Sequence, residues 1–187
     1  GVDLPGMLAA LDRAAPGTIV VLHACCHNPT GYDITAGDWP KVIEAVRARE
    51  LVAFLDMAYQ GFGDGIEEDG AVVRMFLEAG IDFFVATSFS KSFSLYGERV
   101  GALSIVCESR AEAERVLSQL KRVIRTNYSN PPTHGAQVVT MVLTTPRLRQ
   151  MWEAELAGMR ERIKKMRVAL RDKLAAAGLK RDMGFIT

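Results

Sequence analysis

Three short runs stand out in the hydrophobic pattern: residues 18–24 (TIVVLHA), 51–57 (LVAFLDM) and 82–88 (DFFVATS). Each is nearly continuous in Val, Ile, Leu and Phe, the composition of buried strands. The segments between them have helical character: Val42, Ile43 and Val46 follow Asp38, a candidate N-cap, and Val72, Val73, Met75, Phe76 and Leu77 mark a second helix near 69–79. Strands alternating with helices predict an α/β fold, with a mostly parallel sheet and right-handed crossovers. A fourth run, residues 99–107 (RVGALSIVC), follows the third after about ten residues, too few for a helical crossover, so it is expected to lie antiparallel.

The second half is helical. Val116, Leu117, Leu120, Val123 and Ile124 repeat at helical spacing over 110–125, Pro131 and Pro132 interrupt, and another helix is expected at about 133–144. After Pro146 a stripe from Leu148 through Trp152, Leu156, Met159, Ile163, Met166, Leu170 and Leu174 predicts one helix of about 30 residues, packed along its stripe and closed by Gly178. Residues 183–187 read as the beginning of a strand without a partner, and the chain is expected to be an internal segment of a longer protein. The boundary drawn from this pattern puts part of one domain at 1–145, and a long linking helix with the start of a second domain at 146–187.

Composition narrows the function. A net charge of +1 with mixed signs argues against nucleic acid or an anionic membrane as partner, and no apolar run is long enough to span a bilayer. Three cysteines, two of them adjacent, do not form a secreted disulfide framework and fit a reducing cytoplasm. His23, Cys25, Cys26 and His27 invite a zinc reading, but on an extended strand Cys26 points away from the other three, so no metal is expected. Gly61 to Gly65 lacks the pattern of a phosphate cradle and reads as a loop.

In a parallel sheet, ligands bind beyond the carboxyl ends of the strands. After the first strand comes Asn28, within His27-Asn28-Pro29-Thr30-Gly31. The second ends at Asp56, with Tyr59 beyond it, and the third leads into Ser88, Ser90 and Lys91. That inventory suits pyridoxal 5'-phosphate. Its aldehyde needs an amine (Lys91), its pyridine nitrogen a carboxylate (Asp56), its phenolate oxygen hydrogen-bond donors (Asn28, Tyr59), and its phosphate hydroxyls and a cation (Ser88, Ser90, Arg99).

The runs 23–31 (HACCHNPTG), 54–62 (FLDMAYQGF), 88–91 (SFSK), 95–101 (LYGERVG) and 127–132 (NYSNPP) resemble, in order and spacing, the aspartate and aromatic amino acid aminotransferases, with wording closest to the bacterial aromatic (tyrosine) branch. The resemblance implies the large domain of the pyridoxal-phosphate-dependent transferase fold, in which the long C-terminal helix links the cofactor domain to the small one. It also implies transamination between an aromatic or dicarboxylic amino acid and a 2-oxo acid, with 2-oxoglutarate and glutamate as partner pair. Residue by residue it makes Lys91 the Schiff-base and proton-shuttling amine and Asp56 the partner of the ring nitrogen. Asn28 and Tyr59 contact the phenolate oxygen, and Ser88, Ser90 and Arg99 the phosphate. Arg125 is implied as the ligand of a distal substrate carboxylate in the neighbouring subunit's site, hence a homodimer with shared sites. A lyase or decarboxylase on the same fold, or a truncated chain inactive by itself, are the alternatives. The family's arginine for the α-carboxylate, its ring-stacking aromatic residue and its glycine-threonine phosphate loop have no match in these residues, so the segment alone is not expected to be active.

Overall fold

A computed structural model describes residues 1–187. Four strands, β1 (Ile19–His23), β2 (Val52–Met57), β3 (Phe83–Ser88) and β4 (Gly101–Val106), form one sheet in the order β1-β2-β3-β4. The first three are parallel and β4 runs antiparallel to β3, as its short connection requires. Helices α1 (Leu4–Arg13), α2 (Trp39–Ala48), the short α3 (Ile66–Asp69) and α4 (Ala71–Glu78) precede or connect the strands, and α5 (Arg110–Asn127), α6 (His134–Thr144) and α7 (Pro146–Ala176) form the helical second half.

Side-chain alternation divides the sheet into two faces. Leu22, Ala53, Leu55, Phe83 and Val85 point to one and are buried with Leu11 of α1, Trp39, Val42, Ile43 and Val46 of α2, and Val72 and Phe76 of α4. Every buried side chain of the main core belongs to this face or to the helices on it. The opposite face carries Val21 and Leu103, which are exposed, and Phe54 stacked on Phe84 with ring centroids 5.9 Å apart. By the same parity His23, Asp56 and Ser88 project from this second face, where β1, β2 and β3 end.

Several expectations are corrected. Helix α1 was not anticipated, although Leu4, Met7, Leu8 and Leu11 have helical spacing and Asp3 caps it by accepting the Gly6 N–H at 3.0 Å. Asp38 does precede α2, but its carboxylate makes no cap. It accepts instead from Thr35 Oγ1 at 2.8 Å and Lys41 Nζ at 2.9 Å. Residues 183–187 form no strand: Gly184–Ile186 is a 3₁₀ turn, with Gly184 N–H donating to Asp182 Oδ1, because no neighbouring strand meets its backbone groups. Helix α7 has the expected length and closes with Gly178 at φ 87°, its N–H donating to Ala175 O. Its stripe, however, packs only in the first half. Leu156 is fully buried, whereas Met159, Ile163, Met166 and Leu170 remain 36%, 40%, 51% and 50% exposed.

Candidate active site

The carboxyl ends of β1, β2 and β3 lie side by side, and the loop after each contributes to one cleft of about 600 Å³. Asn28 and Pro29 enter it from the first loop, Tyr59 and Phe62 from the second, Lys91 and Tyr96 from the third. Lys91 Nζ sits 4.9 Å from the centroid of the Tyr59 ring, and Asn28 Nδ2 donates to Tyr59 Oη at 3.4 Å. An amine, a phenol and an amide carried by three separate loops therefore converge on one space.

Each loop is held by identifiable contacts. The chain leaves β1 at His23, and Cys26 adopts a left-handed φ of 50°. Asp33 then accepts the N–H groups of Cys26 at 2.8 Å and His27 at 2.7 Å, pinning the loop just before Asn28, whose bond to Pro29 is cis. The expectation that Cys26 points away from its neighbours fails, because strand alternation ends at His23. The Cys25 and Cys26 sulfurs lie with an Asp69 carboxylate oxygen in a cluster whose members are within 4.8 Å of one another. His23 and His27 face each other with ring centroids 4.4 Å apart.

The second loop is built around Asp69, the last residue of α3. Its Oδ2 accepts from Gly61 N–H at 2.7 Å and Gly63 N–H at 3.0 Å, and its Oδ1 from Asp64 N–H at 2.9 Å. The third loop is clamped from behind by α7: Trp152 Nε1–H donates to Ser92 O at 2.7 Å, and the Trp152 ring stacks on Phe93 at 4.7 Å. The same helix reaches the second loop. Leu156 packs at Gly61, whose φ of 92° and lack of Cβ permit the approach, Arg160 Nη1 donates to Gly61 O at 2.9 Å, and Lys164 pairs with Asp64 at 3.0 Å.

Asp56, Ser88, Ser90 and Arg99, also singled out in the sequence, are not among the residues that line this cleft and lie at or just beyond the strand ends. Asp56 is aligned with His23 on one side, its Oδ2 3.9 Å from His23 Nε2, and with Ala86 on the other. Ser88 Oγ accepts the Ser90 N–H at 3.2 Å, and Ser90 is buried. Because Ser88 is aligned with Gly101, the antiparallel return of the chain carries Arg99 back toward the end of β3. Arg99 has a left-handed φ of 55°, and its Nη1 donates to Tyr96 O at 2.8 Å. Arg125 is not part of this group. It lies in the last turn of α5, is exposed, and donates to Ser129 Oγ at 2.5 Å. Sequence reasoning missed Asp33 and Asp69, which fix the loops, and Lys164 and Arg167 of α7, which line the cleft. Only the helical stripe of α7 hinted that this helix approaches the site.

The profile of a family described as aminotransferase class I and II matches residues 1–184. An aspartate aminotransferase of Pseudomonas aeruginosa is 62% identical over 186 residues, which cover all of this chain and 47% of that protein. A tyrosine aminotransferase of Klebsiella pneumoniae is 52% identical over 97% of this chain and 46% of its own length. Among solved structures, an aromatic-amino-acid aminotransferase from Burkholderia pseudomallei, covalently bound to pyridoxal phosphate, superposes with a TM-score of 0.98 at 63% identity, covering the whole of this chain and 47% of that one. The chain thus spans about half the length of the relatives it matches. With the profile running from the first residue almost to the last, and a sheet of the expected order and direction beneath it, the chain belongs to the class I and II aminotransferase family.

Proposed function

We propose that the full protein transfers amino groups between an aromatic or dicarboxylic L-amino acid and a 2-oxo acid, with 2-oxoglutarate and glutamate as partner pair, using pyridoxal 5'-phosphate held around Lys91. The observation that carries this reading is the convergence of Lys91, Tyr59 and Asn28 from three strand ends on one cleft. When bound, the cofactor supplies an aldehyde that condenses with amines and a ring that accepts electrons from a substrate carbanion.

The chain's own residues fit that group. Lys91 Nζ is the amine at the cleft and the base that takes the proton from the substrate α-carbon. Tyr59 Oη and Asn28 Nδ2, already hydrogen-bonded to each other, donate to the phenolate oxygen. Asp56 keeps the ring nitrogen protonated, with His23 beside it on the sheet. Ser88, Ser90 and Arg99, gathered where β3 ends and β4 begins, hold the phosphate. Arg125 lies outside the cleft lining at an exposed helix end, which supports a role in another copy's site: binding the distal carboxylate of a dicarboxylic substrate in a homodimer. Residues 1–145 are read as part of the cofactor domain, with 146–187 as the interdomain helix and the beginning of the small domain, and the cytoplasm as the compartment. A lyase or decarboxylase would use the same lysine and carboxylate. The names of the relatives, aspartate and tyrosine aminotransferase, favour transamination.

The test uses the full protein with added pyridoxal phosphate. Reduction with borohydride should fix one pyridoxyl group on the peptide containing Lys91, and Lys91→Ala should abolish both that adduct and turnover while leaving the fold intact. An adduct mapped to another lysine, or near-normal transamination by Lys91→Ala, refutes the assignment.

A further inference from the structure

We propose that Cys25 and Cys26 form a dithiol modification site at the edge of the cleft, one that a low-molecular-weight disulfide closes to an internal disulfide and that a trivalent arsenical bridges. Both cysteines are free, they are adjacent in sequence, and their sulfurs lie within 4.8 Å of each other in the same small cluster. Cys25 is buried, whereas Cys26 is partly exposed and lines the cleft beside His27 and Asn28. A small reagent entering the cleft therefore meets Cys26 first, with Cys25 directly behind it.

The third member of the cluster is not free to complete a metal site. Both Asp69 oxygens are engaged by backbone N–H groups, two on Oδ2 and one on Oδ1, and a cation drawing on them would orphan the loop amides. What remains is a pair of soft sulfur ligands, suited to thiophilic chemistry. Position divides their roles, Cys26 lining the cleft and Cys25 being buried, and their acidities run the same way. The neighbouring Cys25 thiol holds Cys26 below the usual thiol range. That same contact, with burial, pushes Cys25 well above it. Cys26 is thus the attacking thiolate and Cys25 the resolving thiol.

The exchange balances without a further reactant. Cys26 Sγ attacks one sulfur of the external disulfide, that S–S bond breaks, and the first thiolate leaves and is protonated. Cys25 then gives up its proton, and its sulfur attacks Cys26 Sγ, forming the internal S–S bond and expelling the second thiolate. The protein loses two hydrogens and two electrons; the external disulfide gains both as two thiols.

The test is chemical and independent of the catalytic reading. The reduced full protein is treated with glutathione disulfide, alkylated and digested, and the tryptic peptide 14–41, which carries both cysteines but not Cys107, is weighed. The expected result is loss of two hydrogens with no alkylation. Cys25→Ser should retain one glutathione on Cys26, and Cys26→Ser should leave Cys25 unmodified. Phenylarsine oxide should bind once to the native peptide and protect both thiols, and each serine variant should lose this protection. The proposal is overturned if Cys25→Ser forms no adduct, if the native peptide keeps its glutathione without closing, or if Cys26 is found cross-linked to Cys107 instead.

Discussion

Replacing Asp69 tests whether one buried carboxylate sets the conformation of the loop that follows Tyr59. Its three acceptor bonds are short, 2.7, 3.0 and 2.9 Å, but their donors differ in surroundings. Gly61 is buried, Gly63 half-buried and Asp64 exposed, so water can replace the carboxylate at Asp64, in part at Gly63, and not at Gly61. A buried donor left without its charged acceptor costs about 2–3 kcal/mol and a solvent-accessible one about 0.5–1, so Asp69→Ala should destabilise the loop by roughly 3–5 kcal/mol. Asp69→Asn keeps one oxygen, which faces Gly61 and Gly63, and turns an amide donor toward Asp64 N–H; about 1–2 kcal/mol is expected. The measurement is amide hydrogen exchange over residues 60–64 in the full protein, because a long chain need not unfold in two states while a local opening can be followed directly. Exchange at Gly61 should quicken by a factor of about 100 or more in Asp69→Ala, since each 1.4 kcal/mol is tenfold. Unchanged protection at Gly61 would refute the reasoning, whatever happened to global stability.

Arg125→Leu should lower kcat/KM for aspartate and glutamate by about one and a half to three and a half decades, from the roughly 2–5 kcal/mol of a charge-assisted carboxylate contact, and spare phenylalanine; equal losses on both substrates make Arg125 structural. Leu156→Ala empties a fully buried site between α7 and Gly61 and should cost about 2–5 kcal/mol, read as faster exchange in both the Gly61 loop and the Ser92 turn; a change confined to α7 contradicts the clamp. Hydrogen bonds from Lys41 and Thr35 hold the Asp38 carboxyl below its usual range. Its contribution to stability is therefore full above the ordinary carboxylate pKa and is lost as pH falls through the lower, folded value; Asp38→Asn should flatten that acid limb, and an NMR titration of the Asp38 carboxyl in the usual range would refute it.

The strands and most helices were legible because burial acts through local composition and period. Val21 and Leu22 need only their neighbours to read as a strand, and the order of β1 to β3 follows from connections of helical length. Asn28, Asp56, Tyr59 and Lys91 were legible as a group because the end of a parallel strand is a position readable from the chain itself. Asp69 was not, since nothing local shows that a carboxylate in an acidic stretch turns back to three amides ahead of it in sequence. Lys164 and Arg167 lie more than 70 residues beyond Lys91, and only the docking of α7 brings them to its cleft. Cys26 was misplaced for a geometric reason: extrapolating alternation beyond His23 ignores the left-handed residue that turns its sulfur toward Cys25.

Helix α7 grips the site along its middle turns. Trp152, Leu156, Arg160 and Lys164 attach it to the turn and loop that carry Lys91 and Tyr59, and beyond Lys164 it continues to Ala176. At 1.5 Å per residue that stretch, which Arg171 ties to Thr187 of the terminal turn, is an arm of about 18 Å, so a tilt of roughly 10° about Lys164 displaces its tip by about 3 Å. The arm works in both directions. A displacement of the Gly61 loop, which meets α7 at Leu156 and Arg160, closer to Lys164 than Ala176 is, is enlarged at Ala176, whereas the Ser92 turn, held by Trp152 as far from Lys164 on the other side, moves by an equal and opposite amount.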